Sequence, residues 1–433
     1  MVSLIIFIIT IMIMILAILF KPSIIIKNIN IQTFWLISFI GALIILLSGS
    51  IDYSSLFSNI FEGKMNPIKI LILFISLSLL SISLDNLGFF SYISEKALEK
   101  CKSNQYKIFF ILYALISLLT IFTSNDIVIL TFTPFIISFS KKAKINPIPY
   151  LIVEFVNANT YSMLLSIGNP TNIYLASGFN VSFADYFIHM ALPTLFGAIA
   201  SLCVVLLLFR KSLNKEINYI PNEQKATLKS TPLVIINLII LAITTILLVI
   251  SNYINFEMWA ICLSSAIILS IILFVFSLKL KEKSYILNVY KRLPYNLIPF
   301  ILSMFILVLA LKENGYVNQL SNLLNNMSTN KYSESLTYLI ASTLFDNIIN
   351  NIPMSVLFTS VLEGKSELAL YATIAGSNIG AYLTPIGALA GIMWMSILKK
   401  NDVDFKFIDF IKYGIILVPT VIVGVFIGFI IIF

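Results

Sequence analysis

Long apolar runs without a charge constrain this chain more than any other feature. Leu71–Leu84 and Ile415–Phe433 contain no Asp, Glu, Lys or Arg. Similar stretches lie near 1–20, 31–50, 66–88, 106–140, 146–179, 188–209, 232–252, 256–278, 294–312, 334–361, 366–398 and 407–433. A helix satisfies its own backbone polar groups, and about 20 apolar residues cross a bilayer. A dozen such stretches in 433 residues predict an all-α polytopic membrane protein. Charged residues make up 11% of the chain, against roughly 25% in soluble domains, which excludes a soluble enzyme. The first twenty residues read as a retained span, because no basic residue precedes them and Lys21 follows without a small-residue cleavage site. Cys101, Cys203 and Cys262 form no CxxC, and His189 is the single histidine. A disulfide framework, a zinc site and a Ser-His triad are therefore not expected.

The net charge of +8 is explained by sidedness rather than by nucleic acid. Twenty-two of the 28 basic residues group in alternate loops. They are Lys21 and Lys27; Lys96, Lys100, Lys102 and Lys107; Lys141, Lys142 and Lys144; Arg210, Lys211, Lys215, Lys225 and Lys229; Lys279, Lys281, Lys283, Lys291 and Arg292; and Lys399, Lys400 and Lys406. The positive-inside rule makes these loops cytoplasmic. Lys64, Lys312, Lys331 and Lys365 fall in the opposite loops. Both ends of 106–140 then lie inside, so that stretch is a re-entrant hairpin turning near Thr123-Ser124-Asn125-Asp126. By the same parity 334–361 is a hairpin entering from outside. Its polar turn runs from Asp346-Asn347 to Asn350-Asn351-Ile352-Pro353. The expected architecture has about ten transmembrane helices plus two opposed hairpins, with both termini outside a plasma membrane.

An internal repeat supports this topology. Leu84-Asp85-Asn86-Leu87-Gly88-Phe89 resembles Leu311-Lys312-Glu313-Asn314-Gly315-Tyr316 at an offset of 227; Thr133-Pro134 pairs with Ile352-Pro353 at 219, and Pro170 with Pro385 at 215. The halves start on opposite faces, which defines an inverted-topology repeat. Residues 1–65 are N-terminal scaffold, 66–209 the first repeat and 210–231 a cytoplasmic linker. Residues 232–293 are further scaffold and 294–433 the second repeat. The interrupted spans are 146–179 and 366–398.

Irregular backbone at membrane depth is tolerated only inside protein or beside a water-filled cavity. Four places combine Gly or Pro with amides and hydroxyls there. The hairpin turns offer Ser124, Asn125 and Asp126, and Asp346, Asn347, Asn350 and Asn351. The first break offers Asn159, Thr160, Gly168, Asn169, Pro170, Thr171 and Asn172. The second offers Asn378, Thr384, Pro385 and Gly387. Together they make a neutral cage suited to a small ion or an oxygen-rich solute, and Asn125, Asn169, Asn350 and Thr384 are expected to face one pocket. Asn322, Asn325 and Asn326 read as background composition. Intramembrane carboxylates are functional by default. Asp126 and Asp346 are the proton-coupling candidates, Asp126 foremost; its competing role is a helix cap. Asp85 would cap a connector helix, while Glu154 and His189 read as interfacial.

These motifs resemble the ion-transporter superfamily, and within it the arsenite permease group. Leu84-Asp85-Asn86-Leu87-Gly88-Phe89-Phe90 is similar to its Leu-Asp-x-x-Gly-Phe-Phe segment. Ser124-Asn125-Asp126 with Thr133-Pro134 is similar to its first hairpin, and Asn350-Asn351-Ile352-Pro353 to its second. Leu383-Thr384-Pro385-Ile386-Gly387-Ala388-Leu389-Ala390 followed by Trp394 is the most specific match. The resemblance runs from about residue 66 to the end. The chain departs from the group at Ala158-Asn159-Thr160, where an Ala-Asp-Thr is usual, and at Gly168-Asn169-Pro170-Thr171-Asn172, which is closer to anion-permease relatives. The resemblance implies an elevator-type secondary transporter, most simply an exporter of arsenite or antimonite in exchange for protons. A sodium- or proton-coupled anion or dicarboxylate carrier and a sodium/proton antiporter are the alternatives; a channel or an embedded enzyme is the different class. No cofactor is expected beyond a bound sodium ion. Expected partners are the lipid bilayer and a small inorganic or organic ion. A homodimer is allowed, and a separate ATPase subunit would join an arsenite pump.

Overall fold

Helix caps and breakers written in the sequence set the element boundaries. The computed structural model describes residues 1–26, 29–61, 66–98, 104–215, 226–251 and 253–433. Lys27, Lys64, Lys100, Cys101, Lys102 and Lys225 lie outside the described residues. The chain opens with α1 (Val2–Phe20), an antiparallel hairpin of β1 (Ser23–Ile26) and β2 (Ile29–Gln32), α2 (Thr33–Leu47) and α3 (Tyr53–Phe61). The first repeat holds α4 (Pro67–Asn86), α5 (Phe89–Leu98), α6 (Gln105–Phe122), α7 (Asn125–Ala143), α8 (Ile148–Tyr161), α9 (Pro170–Gly178) and α10 (Phe183–Leu213). Then come α11 (Thr231–Ile250), α12 (Met258–Lys279) and α13 (Ser284–Lys291). The second repeat holds α14 (Leu297–Glu313), α15 (Tyr316–Asn325), α16 (Lys331–Ile349), α17 (Asn351–Val361), α18 (Glu367–Ile379), α19 (Leu389–Lys400) and α20 (Phe407–Ile432). The β-hairpin, α3 and α13 have no counterpart in the sequence reading.

Asn66 accepts from the N–H groups of Ile68 and Lys69, with Pro67 opening α4 behind it. Asn104 caps α6 in the same way, and Asn330 with Ser333 forms a capping box on α16. Each satisfies donors that a helix start leaves free. Gly88 (φ 82°) and Gly315 (φ 81°) stand at the corners before α5 and α15. A left-handed conformation at matching corners is what the repeat predicts, and glycine adopts it without a Cβ penalty. The α14–α15 corner bends by 77°.

One expected equivalence fails. Pro134 lies inside α7, well past its start at Asn125, whereas Pro353 sits in the first turn of α17. The aligned positions are the hairpin turns themselves, Ser124 and Asn350, so the Pro pairing is coincidence. Among the described residues, seven single helices are long and apolar enough to cross a membrane: α1, α4, α6, α10, α11, α12 and α20. Among the expected spans, α2 has 15 residues and α14 has 17. The two interrupted spans are split by their breaks, and α6 is a hairpin limb.

The loops sort into two ends by their contacts. At one end the Lys229 N–H donates to Leu87 O, Gln105 Nε2 donates to Lys215 O, and Lys141 Nζ donates to Asn401 O. Arg292 pairs with Asp85 at 2.5 Å there, and Thr131 donates to the other oxygen of Asp85. Asp85 therefore ties α4 to α7 and to the end of α13, rather than capping α5. At the other end Lys312 meets Glu363, Asn314 donates to Ser50 O, and Ser366 donates to Glu334. The base of the α6–α7 hairpin is at the first end and that of α16–α17 at the second, so the hairpins are opposed.

The repeats interlock. The limb α7 packs on α19 and the limb α17 on α9, so each hairpin leans on the other repeat's broken helix. Between the repeats α10 and α20 run together, with Gly424 and Gly428 against the backbone of Phe196 and Pro193. The helices α1, α2 and α14 form one flank, and α4, α11 and α12 another.

Candidate functional site

Both spans break where Pro and Gly follow an amide. The helix α8 ends at Tyr161 and α9 begins at Pro170; α18 ends at Ile379 and α19 begins at Leu389. The orphan backbone groups so released are met by side chains. Asn169 caps α9 by accepting from the Thr171 N–H at 3.2 Å. Asn172 Nδ2 donates to Ser162 O at 2.7 Å. In the second break Thr384 accepts from the Ile386 N–H, and Asn347 Nδ2 donates to Gly380 O at 3.0 Å.

Asn378 joins the repeats. Its Nδ2 donates to Asn172 Oδ1 at 2.7 Å, and its Oδ1 accepts from Asn169 Nδ2 at 2.9 Å. Ser162 Oγ lies 2.8 Å from the same oxygen, and Thr171 meets Ser377 at 3.1 Å. Thr160 and Tyr382 are hydroxyl to hydroxyl at 3.1 Å. These side chains, Thr160 to Ser377, are buried. Ser162, Ser377 and Tyr382 were not singled out from sequence; only their position beside the breaks could have marked them.

The hairpin tips dock on these breaks. Asn125 Nδ2 donates to Asn159 Oδ1 at 3.0 Å, while Asn159 is anchored to Phe155 O. Asn350 Nδ2 donates to Ile386 O at 2.8 Å, and Thr384 donates to Asn347 Oδ1 at 2.7 Å. Asn350 carries φ 76° and ψ 153°, a region essentially reserved for glycine that costs about 1–3 kcal/mol and gathers at functional sites. Gly168 and Gly387 give the breaks room: a Cβ would overlap Ser162 O at the first and Gly380 O at the second. Pro170 and Pro385 open the short helices that follow.

Several buried oxygens in this region have no hydrogen-bond partner among the described residues. They are Ser124 Oγ, Asn125 Oδ1 and Asn351 Oδ1 at the tips, and both carboxylate oxygens of Asp346. Asp346 lies in the last turn of α16, fully buried against Gly380. Unpartnered buried groups are rare in native structures. Asp126 is half-buried, and Ser124 caps α7 without a side-chain bond. Among the described hydrogen bonds, Asp126 accepts none from the backbone, so the cap role finds no support in the geometry.

A cavity of about 1290 Å³ reaches Ser124, Asp126, Pro385 and Ile386. It lies between α1, α2, α4 and α14 on one side and the first hairpin and α19 on the other. Its mouth holds Arg292, Lys399, Lys400 and Lys406 at the end of the basic loops. Of the four side chains expected in one pocket, none lines this cavity directly. Asn125 adjoins it through its neighbours Ser124 and Asp126, Asn350 and Thr384 adjoin it through Ile386 and Pro385, and Asn169 belongs to the Asn378 cluster. Glu154, read as interfacial, is fully buried. His189 is stacked on Tyr371 and Phe433 at the end opposite the basic loops.

A family model described as "Citrate transporter" matches residues 1–367, so the likeness includes the first two helices as well as the region from residue 66. A relative named putative arsenical pump membrane protein, from Bacillus subtilis, is 26% identical over 88% of this chain and 90% of its own length. The arsenical pump membrane protein of Escherichia coli K12 is 25% identical over 79% of this chain and 82% of its own. Among solved structures, the YdaH transporter of Alcanivorax borkumensis superposes with a TM-score of 0.60 at 10% identity, covering 98% of this chain and 96% of that one. That likeness speaks to fold alone.

Proposed function

Because the chain belongs to the citrate transporter family, a group of secondary transporters within the ion-transporter superfamily, we propose that it exports arsenite or antimonite in exchange for protons. It is a multi-pass membrane protein of permease type. The relatives' printed names support the cargo. So does the chemistry of the cavity wall: arsenious acid is an uncharged trihydroxy species at neutral pH, and Ser124, Asp126 and Ser396 on that wall can exchange hydrogen bonds with it. The observation that carries the mechanism is the cavity between the α1–α2–α4–α14 wall and the first hairpin tip. In our reading the hairpins and broken helices, fastened across the repeats, slide against that wall as one elevator body. The basic mouth faces the cytoplasm, both termini face outward, and the membrane is the plasma membrane. Asp126, on the cavity wall, takes the coupling proton, with Asp346 as the second titrating carboxylate.

Purified protein in liposomes with an imposed proton gradient tests this. Arsenite movement should follow the gradient, and Asp126→Asn should lose gradient dependence while remaining folded. No arsenite flux in the wild type would refute the cargo; wild-type gradient dependence in the variant would refute the coupling role. The second reading is a sodium- or proton-coupled anion or dicarboxylate carrier, favoured by Lys399, Lys400 and Lys406, which outnumber Asp402 and Asp404 at the mouth. Sodium-stimulated dicarboxylate uptake would establish it. The oxygens of Asp346 and Asn351 would then hold the sodium ion.

A further inference from the structure

Glu154 is a buried carboxyl that the proposed transport cycle leaves unused. It stands on α8, fully buried, at a junction of three elements. Thr133 Oγ1, from the limb α7, lies 2.8 Å from its Oε1. Trp394 Nε1, from α19 of the other repeat, donates to its Oε2 at 3.1 Å. Phe155 and Phe410 pack on Trp394 at ring distances of 5.3 and 5.7 Å, and Phe405 at 5.2 Å, walling the junction with hydrocarbon.

The contacts and the burial together favour one state of this carboxyl. The Thr133 hydroxyl also lies 2.6 Å from Ile129 O. A hydroxyl has one proton to give, and a carbonyl has none. With that proton given to Ile129 O, the shorter contact, the 2.8 Å approach to Oε1 is filled when Glu154 carries a proton of its own. With Glu154 as the neutral acid, its Oε1–H donates to Thr133, Thr133 donates to Ile129 O, and Trp394 donates to Oε2. Every polar atom is then satisfied at zero net charge. An ionised Glu154 would divide one Thr133 proton between two oxygens and set a charge in an aromatic box, where burying it is costly.

No ion pair to Glu154 is formed among the described residues. The elements around α8 are α6, α7, α10, α18, α19 and α20. Their charged side chains sit near the helix ends: Lys107; Asp126, Lys141 and Lys142; Asp185, Arg210 and Lys211; Glu367; Lys399 and Lys400; Asp409 and Lys412. Tyr150, one turn earlier on α8, donates to Gln105.

We propose that Glu154 is a positioning residue held as the neutral acid, and that its own proton fastens the first hairpin to the second repeat's broken helix. The role explains Thr133 and Trp394, two motif residues that line neither the cavity nor the amide cluster. It is independent of the cargo.

The test is infrared spectroscopy and thermal unfolding of the purified full chain at neutral pH. The wild type minus Glu154→Gln difference should contain a protonated carboxylic acid band, which Asp126→Asn leaves in place. Glu154→Gln should keep the wild-type melting temperature, because its amide donates to Thr133 and accepts from Trp394; Glu154→Leu should lower it. Carboxylate bands in place of the acid band would overturn the proposal. So would a Glu154→Gln variant as unstable as Glu154→Leu. If the Leu variant does not fold, the infrared difference alone decides.

Discussion

Replacing Asn378 by alanine tests whether the two repeats are held together at the break. The side chain donates to Asn172 Oδ1 and Ile374 O, and accepts from Asn169 Nδ2. Ser162 Oγ has a second acceptor in Asn159 O at 2.8 Å, so it loses little. Alanine therefore leaves two buried orphans, Asn169 Nδ2 and the Asn172 carbonyl. An orphaned buried group costs about 1–3 kcal/mol, which sets a ceiling of about 6 kcal/mol. Interhelical hydrogen bonds in bilayers average only about 0.6 kcal/mol, because the unfolded helices find other partners; two lost bonds give a floor of about 1 kcal/mol. We expect a loss of about 3 kcal/mol, between those bounds. Asn322→Ala on the exposed face of α15 is the matched control and should stay within about 0.5 kcal/mol of wild type. Reversible unfolding in bicelles measures both. If Asn378→Ala is no less stable than Asn322→Ala, the hydrogen bonds around Asn378 do not hold the repeats together.

Gly380→Ala places a methyl group against the Asp346 carboxylate and Thr343 O. Overpacking there should cost about 1–3 kcal/mol in the same unfolding assay, outweighing the roughly 0.5–1 kcal/mol that alanine gains in a helix; a stabilised variant would show that the contact yields. Glu257 is held below the ordinary carboxylate range, first by its bond to Lys69. A lowered carboxyl stabilises above its unfolded range and loses that contribution as the pH falls through its folded one. The pair is exposed, so Glu257→Gln should change stability by less than about 1 kcal/mol and erase that acid-side slope. An undiminished slope in the variant would assign it to another carboxyl. Ser396→Cys, on the cavity wall, should react with a membrane-impermeant thiol reagent only from the side carrying Lys399 and Lys400. Labelling from the opposite side would invert the proposed orientation.

Much of the fold was legible because membrane constraints are strict. Charge parity alone required the hairpins at Thr123–Ser124 and Asn350, since each polar turn sits in a stretch whose ends share a side. Proline and glycine marked both breaks. Partner choice was not legible: nothing local says that Asn169 bonds to Asn378 rather than to Asn125, because that depends on how the repeats cross. Glu154 was misplaced for a related reason. Its distance from the break suggested an interface, whereas burial depends on Trp394, 240 residues away. The Pro134 equivalence misled because a two-residue match outweighed the helix register it had to fit.

The crossing of the repeats also has a consequence for synthesis. Asn169 finds its partner 209 residues later in the chain. At the usual elongation rate of about 5–20 residues per second, some 10–40 s pass between the two leaving the ribosome. During that interval the first broken helix is already made, with its amides unpaired and α9 lacking α17. A side-chain amide without a partner is costly in hydrocarbon, so the early half is least stable until Asn378 arrives. Slowing translation just before residue 378 should therefore increase degradation of the nascent protein more than an equal pause placed after it.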